Sequence, residues 1–200
     1  MDNTKIVKCD NLINCITNTL NVDMPLYINN KNSALKFDFE DVDDVTTENI
    51  IRSIMNYLLI DNSFWVCEYG SDSVDILVNK NFFLNTVPDI SVLPYHSKSI
   101  DSDWFEYEHN SIVCAHTTMD NFNVNAYIKY VTSKDFISNT IFLIDDIRNI
   151  ALHVYDRRGM DIAATDEGIV KQLFERYKAY VSKYYLQEIL KITSRKNDFI

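Results

Sequence analysis

The chain has 200 residues, 46% of them hydrophobic and 12% aromatic, with 19 Lys and Arg against 29 Asp and Glu for a formal net charge of −10. That length and apolar fraction suffice to bury one sizeable core and exclude an intrinsically disordered chain. The charge excludes a generic binder of nucleic acid or of anionic membranes, both of which recruit phosphates with a positive surface. It suits solubility, or docking onto a basic partner.

In chain order, Ile6, Cys9, Ile13, Ile16 and Leu20 keep helical spacing and predict an amphipathic helix over 4–20. Pro25 breaks that pattern. LYINN and ALKFDFE, joined through Asn29, Asn30, Lys31 and Asn32, read as a hairpin whose turn residues tolerate left-handed backbone. Leu35, Phe37 and Phe39 alternate with Lys36, Asp38 and Glu40, so the second strand has one buried and one charged face.

Acidic residues continue through Asp41, Asp43 and Asp44 until Thr46 or Thr47 offers a cap for a helix over 48–59, with Ile50, Ile51, Ile54, Tyr57 and Leu58 on its apolar face. Phe64–Tyr69 and Val74–Val78 read as strands about Gly70. From Asn79 to Asp120 the pattern is weakest, and loops with short edge strands are expected. Residues 121–136, with Val124, Tyr127, Ile128 and Val131, fit a helix or a strand, and the helix is preferred.

The last third is clearer. Ile141, Leu143, Ile150, Leu152 and Val154 alternate with Phe142, Ala151, His153 and Tyr155, so both faces are largely apolar and central strands are predicted. Asp145–Asn149 and Asp156–Gly159 supply turns, with Gly159 placed for a positive φ or the end of a type I turn, and Met160–Ala164 returns as a third antiparallel strand. Thr165 is the expected N-cap of a long helix over 166–192, along which Ile169, Leu173, Tyr177, Tyr180, Tyr184 and Ile192 keep the period. The expectation is an α+β fold: a mostly antiparallel sheet with a C-terminal three-strand meander, packed helices and a long C-terminal helix. No linker, repeat or low-complexity block divides it, so residues 1–200 are taken as one domain, or as an N-terminal lobe 1–120 joined to a C-terminal lobe 121–200.

The chemistry-bearing motifs are mostly absent. There is no nucleophile elbow, phosphate loop or dinucleotide fingerprint, and three glycines leave little scope for a phosphate cradle. Cys9, Cys15, Cys67 and Cys114 lack C-x-x-C pairing and zinc spacing, and His96, His109, His116 and His153 form no close ligand pair, so no metal or cofactor is expected. The run Asp38, Glu40, Asp41, Asp43, Asp44 fails as a calcium loop, because the sixth position from Asp41 is Thr46 and the twelfth is not Glu.

Two segments remain as candidate partner-binding surfaces. One is that acidic run. The other is Asp101, Asp103, Trp104, Glu106, Tyr107 and Glu108, where aromatic anchors sit among carboxylates. Asp156, Arg158 and Asp161 admit a catalytic reading as acid, anion clamp and metal ligand, but turn chemistry explains Asp156 and Gly159 without a substrate. The N-terminal MDNTKIVKCDNLINC lacks a basic stretch followed by an apolar one, and no run approaches the roughly 18 to 20 apolar residues of a membrane span, so a reducing cytoplasm is expected.

The stretch His153–Val181 resembles the C-terminal part of a bacterial domain family of unknown function. Members of that family end in a strand, a Y-D-x-R-G-M/C-D turn, another strand and a helix with a Tyr-containing run. The matching positions are Tyr155, Asp156, Arg158, Gly159, Met160, Asp161, Leu173, Phe174, Arg176 and Tyr177. The resemblance implies an α+β fold and no established activity. By size, acidity and a composition typical of AT-rich genes, the chain is also similar to immunity proteins of bacterial toxin systems such as contact-dependent growth inhibition. That similarity implies a cognate toxin as partner, with a basic nuclease as the expected kind, and no direct contact with nucleic acid or membrane. It leaves the oligomeric state open.

Overall fold

A computed structural model describes residues 30, 33–60, 62–70, 82–83, 85–87, 93–95, 111–133 and 141–183. The expected helix 4–20, the first hairpin strand before Asn30, the strand 74–78 and the chain beyond residue 183 lie outside these. Seven strands form one sheet: β1 (Ala34–Asp38), β2 (Ser63–Gly70), β3 (Leu93–Tyr95), β4 (Ser111–Thr118), β5 (Ile141–Asp145), β6 (Ile150–Asp156) and β7 (Gly159–Ala164). Their order is β1-β7-β6-β5-β2-β4-β3, and each neighbouring pair is antiparallel. Strands from both sides of residue 120 therefore interleave in the same sheet.

Among the described residues three α-helices accompany it: α1 (Asp44–Leu59), α2 (Val124–Val131) and α3 (Glu167–Tyr177). Strand β1 runs parallel to β2 with β7, β6 and β5 between them, so α1 is a crossover that carries the chain from the edge to the interior. The vacant places are filled by β5, β6 and β7, which pair in sequence as the expected C-terminal meander.

Local chemistry starts each helix. Asp43 caps α1 by accepting from the Thr46 amide at 2.9 Å and the Thr46 hydroxyl at 2.7 Å, so the cap lies before the expected Thr46 or Thr47. Asn123 caps α2 through the Ala126 amide at 3.0 Å, and this helix is shorter than the expected 121–136. Asp166 caps α3 through the Gly168 amide at 2.7 Å, which displaces Thr165 from that role.

One face of the sheet carries the main core. Leu35, Ile162, Leu152, Leu143, Val66 and Ala115 succeed one another across six strands, all buried. Against them pack Ile50, Ile51, Ile54, Met55, Leu58 and Leu59 of α1, Tyr127, Ile128 and Val131 of α2, and Val170, Leu173, Phe174 and Tyr177 of α3. Each such side chain, fully buried, contributes on the order of 2 kcal/mol, which outweighs the tenths that separate helix propensities. Tyr57 departs from the expected apolar face: it is 37% exposed and its hydroxyl donates to Gln172 of α3. Ser53 and Tyr177 make a second link between α1 and α3 at 2.7 Å.

The opposite face is buried as well. Ala34, Ala163, Ala151, Ile144 and Trp65 form one row, and Phe142, Cys67 and Cys114 belong to the next, all 6% exposed or less. The expectation of central strands covered on both sides holds for β5, where every residue is buried, and for β6 as far as Val154; β7 is buried throughout as well.

The helix expected over 166–192 is interrupted after Tyr177. After Tyr177 a 3-10 turn spans Lys178–Tyr180, and Val181 then bridges Phe37 while the Ser182 amide donates to the Lys36 carbonyl at 2.8 Å. The helix stops because the outer edge of β1 needs backbone partners, and two residues at positions 181 and 182 supply them.

A buried carboxylate organises the turn between β5 and β6. Asp145 has no exposed side-chain surface and accepts from the Ile147 amide at 3.1 Å, the Arg148 amide at 2.9 Å and Arg148 Nε at 2.7 Å. Arg148 also donates to the Leu58 carbonyl, placing a cation at the C-terminus of α1, whose own last turn holds no basic residue. Asn149 completes the turn at φ 53°, a left-handed conformation that Asn tolerates.

Two substitutions test this packing in opposite directions. Asp145→Ala strands two amides and a guanidinium, so a loss of about 3 kcal/mol is expected, read as a fall of roughly 10 °C in Tm. Tyr127 is fully buried with a hydroxyl that has no hydrogen-bond partner among the described residues, and burial pushes its pKa up. Tyr127→Phe is expected to raise stability by about 1 kcal/mol, measured by urea unfolding.

Candidate functional site

Tyr155, Asp156, Arg158 and Gly159 lie where β6 turns into β7, and their roles follow from the register. Val154 pairs with Met160 and Asp156 with Gly159, so Tyr155 is the extra residue of a β-bulge. The loop is Arg157 and Arg158, and neither has a positive φ. A two-residue hairpin of that kind matches the strand twist poorly, and the adjacent bulge accommodates the mismatch.

Asp156 closes the turn. It accepts from the Arg158 amide at 2.6 Å, from Arg158 Nε at 2.8 Å and from Arg158 Nη2 at 2.6 Å. The Asp156 carboxylate, through hydrogen bonding and charge, holds the Arg158 guanidinium above its ordinary pKa. Of the two expectations for Gly159, the positive φ is corrected, since no described glycine has one, and the place at the end of the turn holds, since Gly159 pairs with Asp156 across Arg157 and Arg158. Glycine is required there for space, because a Cβ would lie 2.7 Å from the Phe37 carbonyl oxygen and against the ring and hydroxyl of Tyr155. Tyr155 thus lies over Gly159 and donates to the Phe37 carbonyl on β1 at 3.4 Å.

That contact brings the β6–β7 turn beside the β1–α1 connection. The Phe39 amide donates to the Arg158 carbonyl at 2.7 Å, and Arg157 pairs with Asp44 at 3.0 Å. Two segments far apart in sequence therefore make one corner of the molecule. Asp38, Glu40, Asp41, Asp43 and Asp44 are all exposed there, beside Asp156, with Arg157 and Arg158 as the cations among them.

The carboxylates differ in what engages them. Asp38 accepts from the Glu40 amide at 3.1 Å, and Asp43 is lowered below its ordinary pKa by the Thr46 hydroxyl and amide. Glu40 adds to the field that keeps Arg158 charged. Six carboxylates against two guanidinium groups leave the corner negative, and exposed Asp41 and Glu40 are placed to meet cations from outside.

Asp161 does not join this corner. It faces Lys36 on β1 and His153 on β6, in the row that continues through Phe142, Cys67 and Cys114 on the second face of the sheet. Asp161 and His153 are both fully buried, and the His153 ring stacks on Phe142 with centroids 4.6 Å apart. Lys36 Nζ lies 5.8 Å from the centroid of the Tyr155 ring. The string Tyr155–Asp161 thus serves two places, with Asp156 and Arg158 toward the surface and Asp161 inside.

Arg157, Lys36 and His153 join these clusters with no local sequence signal to mark them. Arg157 was visible only as a basic residue in a turn, and its pairing with Asp44 spans most of the chain. The aromatic and acidic segment Asp101, Asp103, Trp104, Glu106, Tyr107 and Glu108 lies outside the described residues. Among the described residues no group of three or more His, Cys, Asp and Glu is placed to hold a metal ion, and no helix is long and apolar enough to cross a membrane.

Fold and site together define an α+β protein built on one antiparallel sheet with both faces buried and an acidic corner at the end of its meander. The chain belongs to the family described as a domain of unknown function, DUF3885, which it matches over residues 52–185. No curated protein and no solved structure matches it.

Gly159→Ala is expected to cost about 2 kcal/mol through overpacking. In a Tyr155→Ala background the same substitution should cost clearly less, since one obstacle is gone. Equal costs in the two backgrounds, measured by denaturant unfolding, would show that Tyr155 does not constrain position 159.

Proposed function

We propose that this protein is a binding protein rather than a catalyst, and that it neutralises a cognate bacterial toxin in the cytoplasm. The toxin is a basic one, with a nuclease as the preferred kind, and the acidic surface blocks its active site without contacting nucleic acid or membrane. The observation that carries this reading is the corner at which Asp38, Glu40, Asp41, Asp43 and Asp44 stand exposed together beside the β6–β7 turn. A row of carboxylates at a strand end resembles a phosphate backbone in charge, and a nuclease cleft is built to receive negative charge. Complementary fields also speed encounter and discriminate against acidic partners. The resemblance to immunity proteins agrees with this reading, and the segment Asp101–Glu108 is assigned to the same binding role.

In this reading Tyr155, Asp156, Arg158, Gly159 and Asp161 are the structural signature of the family, kept for what the fold needs of them. A metal-dependent enzyme using Asp156 and Asp161 is the competing possibility, favoured by the burial of Asp161 beside His153. Against it, Asp156 is taken up by three hydrogen bonds from Arg158.

The test uses the product of the gene immediately upstream, titrated calorimetrically with the full chain. A complex that weakens steeply with salt is expected, together with loss of toxin activity. Replacing Asp38, Glu40, Asp41 and Asp44 by their amides, with the Asp43 cap retained, should weaken binding by about tenfold or more. Neither complex nor protection with the unaltered chain would sink the proposal.

A further inference from the structure

Cys67 and Cys114 stand directly opposite one another on β2 and β4, inside a pairing that runs without a break from Ser63 and Thr118 to Gly70 and Ser111. Residues opposed in this way on antiparallel strands project to the same face, with Cα atoms about 4.5 to 5.5 Å apart. A disulfide needs a Cα separation of about 4.4 to 6.8 Å, so the register alone brings the two backbones into bonding range. Both residues are in the thiol form and buried, Cys67 at 0% and Cys114 at 4% exposure.

We propose that Cys67 and Cys114 form a modification site that closes to a cross-strand disulfide on exposure to a low-molecular-weight disulfide. The thiolate of Cys114, the more accessible of the two, attacks one sulfur of that reagent and expels one of its halves as a thiol. The thiolate of Cys67 then attacks the Cys114 sulfur of the mixed disulfide and expels the second half. The pair loses two electrons and two protons, and the reagent is reduced to two thiols. A thiol reductant runs the sequence backwards, so in a reducing compartment the pair rests open.

The bond joins two strands that already pair, and it closes the chain from 68 to 113 into a covalent loop. That loop contains the Asp101–Glu108 sequence, one of the two marked as candidate binding segments. Entry of the reagent requires local opening of the sheet, which is easiest toward the edge held by the three-residue β3.

The full-length protein carrying Cys9→Ser and Cys15→Ser, and the unaltered chain beside it, are equilibrated with oxidised glutathione, with and without sub-denaturing urea. Both are then alkylated under denaturing conditions and mapped by mass spectrometry. Expected is one linked peptide pair, Cys67 to Cys114, lighter by two hydrogen atoms, with alkylation lost at both positions together and restored by dithiothreitol. The oxidised form should also melt at a higher temperature than the reduced form. Glutathione adducts without the link, links to other cysteines, or full alkylation of both residues with and without urea would each overturn the proposal. If the double serine variant does not fold, the unaltered chain decides, because the linked peptides are identified by mass.

Discussion

The approach of Tyr155 over Gly159 to the Phe37 carbonyl is the contact on which the arrangement of this molecule depends. It joins three neighbouring strands at one point: the bulge on β6 supplies the tyrosine, β7 supplies the gap, and β1 supplies the acceptor. Strand β1 is at the edge of the sheet and far in sequence from its partner β7. Its placement therefore needs an interaction that no local turn can provide. Once it is held, the Phe39 amide meets the Arg158 carbonyl, Arg157 meets Asp44, and the acidic connection is fixed against the β6–β7 turn.

Burial of both sheet faces imposes the second constraint. A sheet with one wet face sorts polar from apolar residues by simple alternation, but here each inward choice on one side is matched by another on the reverse. Leu35, Phe37 and Phe39 serve the helix-covered face, while Lys36 stands in register with Asp161 and His153 on the other. Ionisable side chains in such a place lose solvent, and alignment across three strands is what lets their charges and dipoles answer each other. The same row continues to Cys67 and Cys114, so one line across the sheet holds most of the reactive chemistry of the described interior.

Much of this was legible in the sequence, and the failures have common physical causes. The doubly apolar alternation of 141–154 identified the central strands because few other structures bury residues on both sides of a short segment. The face Ile50, Ile51, Ile54 and Leu58 identified α1, yet its start fell on the wrong residue: Asp43, Thr46 and Thr47 are all competent caps, and only the fold selects among them. The expected short edge strands between 79 and 120 fit β3 but not β4, whose eight residues pair on both edges; Ser111, His116, Thr117 and Thr118 dilute its apolar pattern. The expected C-terminal helix lacked the break at 178–182 because its apolar period continues past Tyr177, whereas the reason for the break, the edge of β1, lies elsewhere in the chain. The candidate site was half legible. Its acidic run and its turn could each be marked, but their meeting is a matter of register, which a local pattern does not carry.

Amide hydrogen exchange in Tyr155→Ala addresses the central contact most directly. Removing the ring and hydroxyl should speed exchange along residues 34–38 and 159–164 by about tenfold or more, while the amides shared between β5 and β2 keep their protection. Acceleration spread evenly over the whole sheet, or unchanged protection of residues 34–38, would contradict the claim that this one tyrosine ties the edge strand and the acidic corner to the rest of the fold.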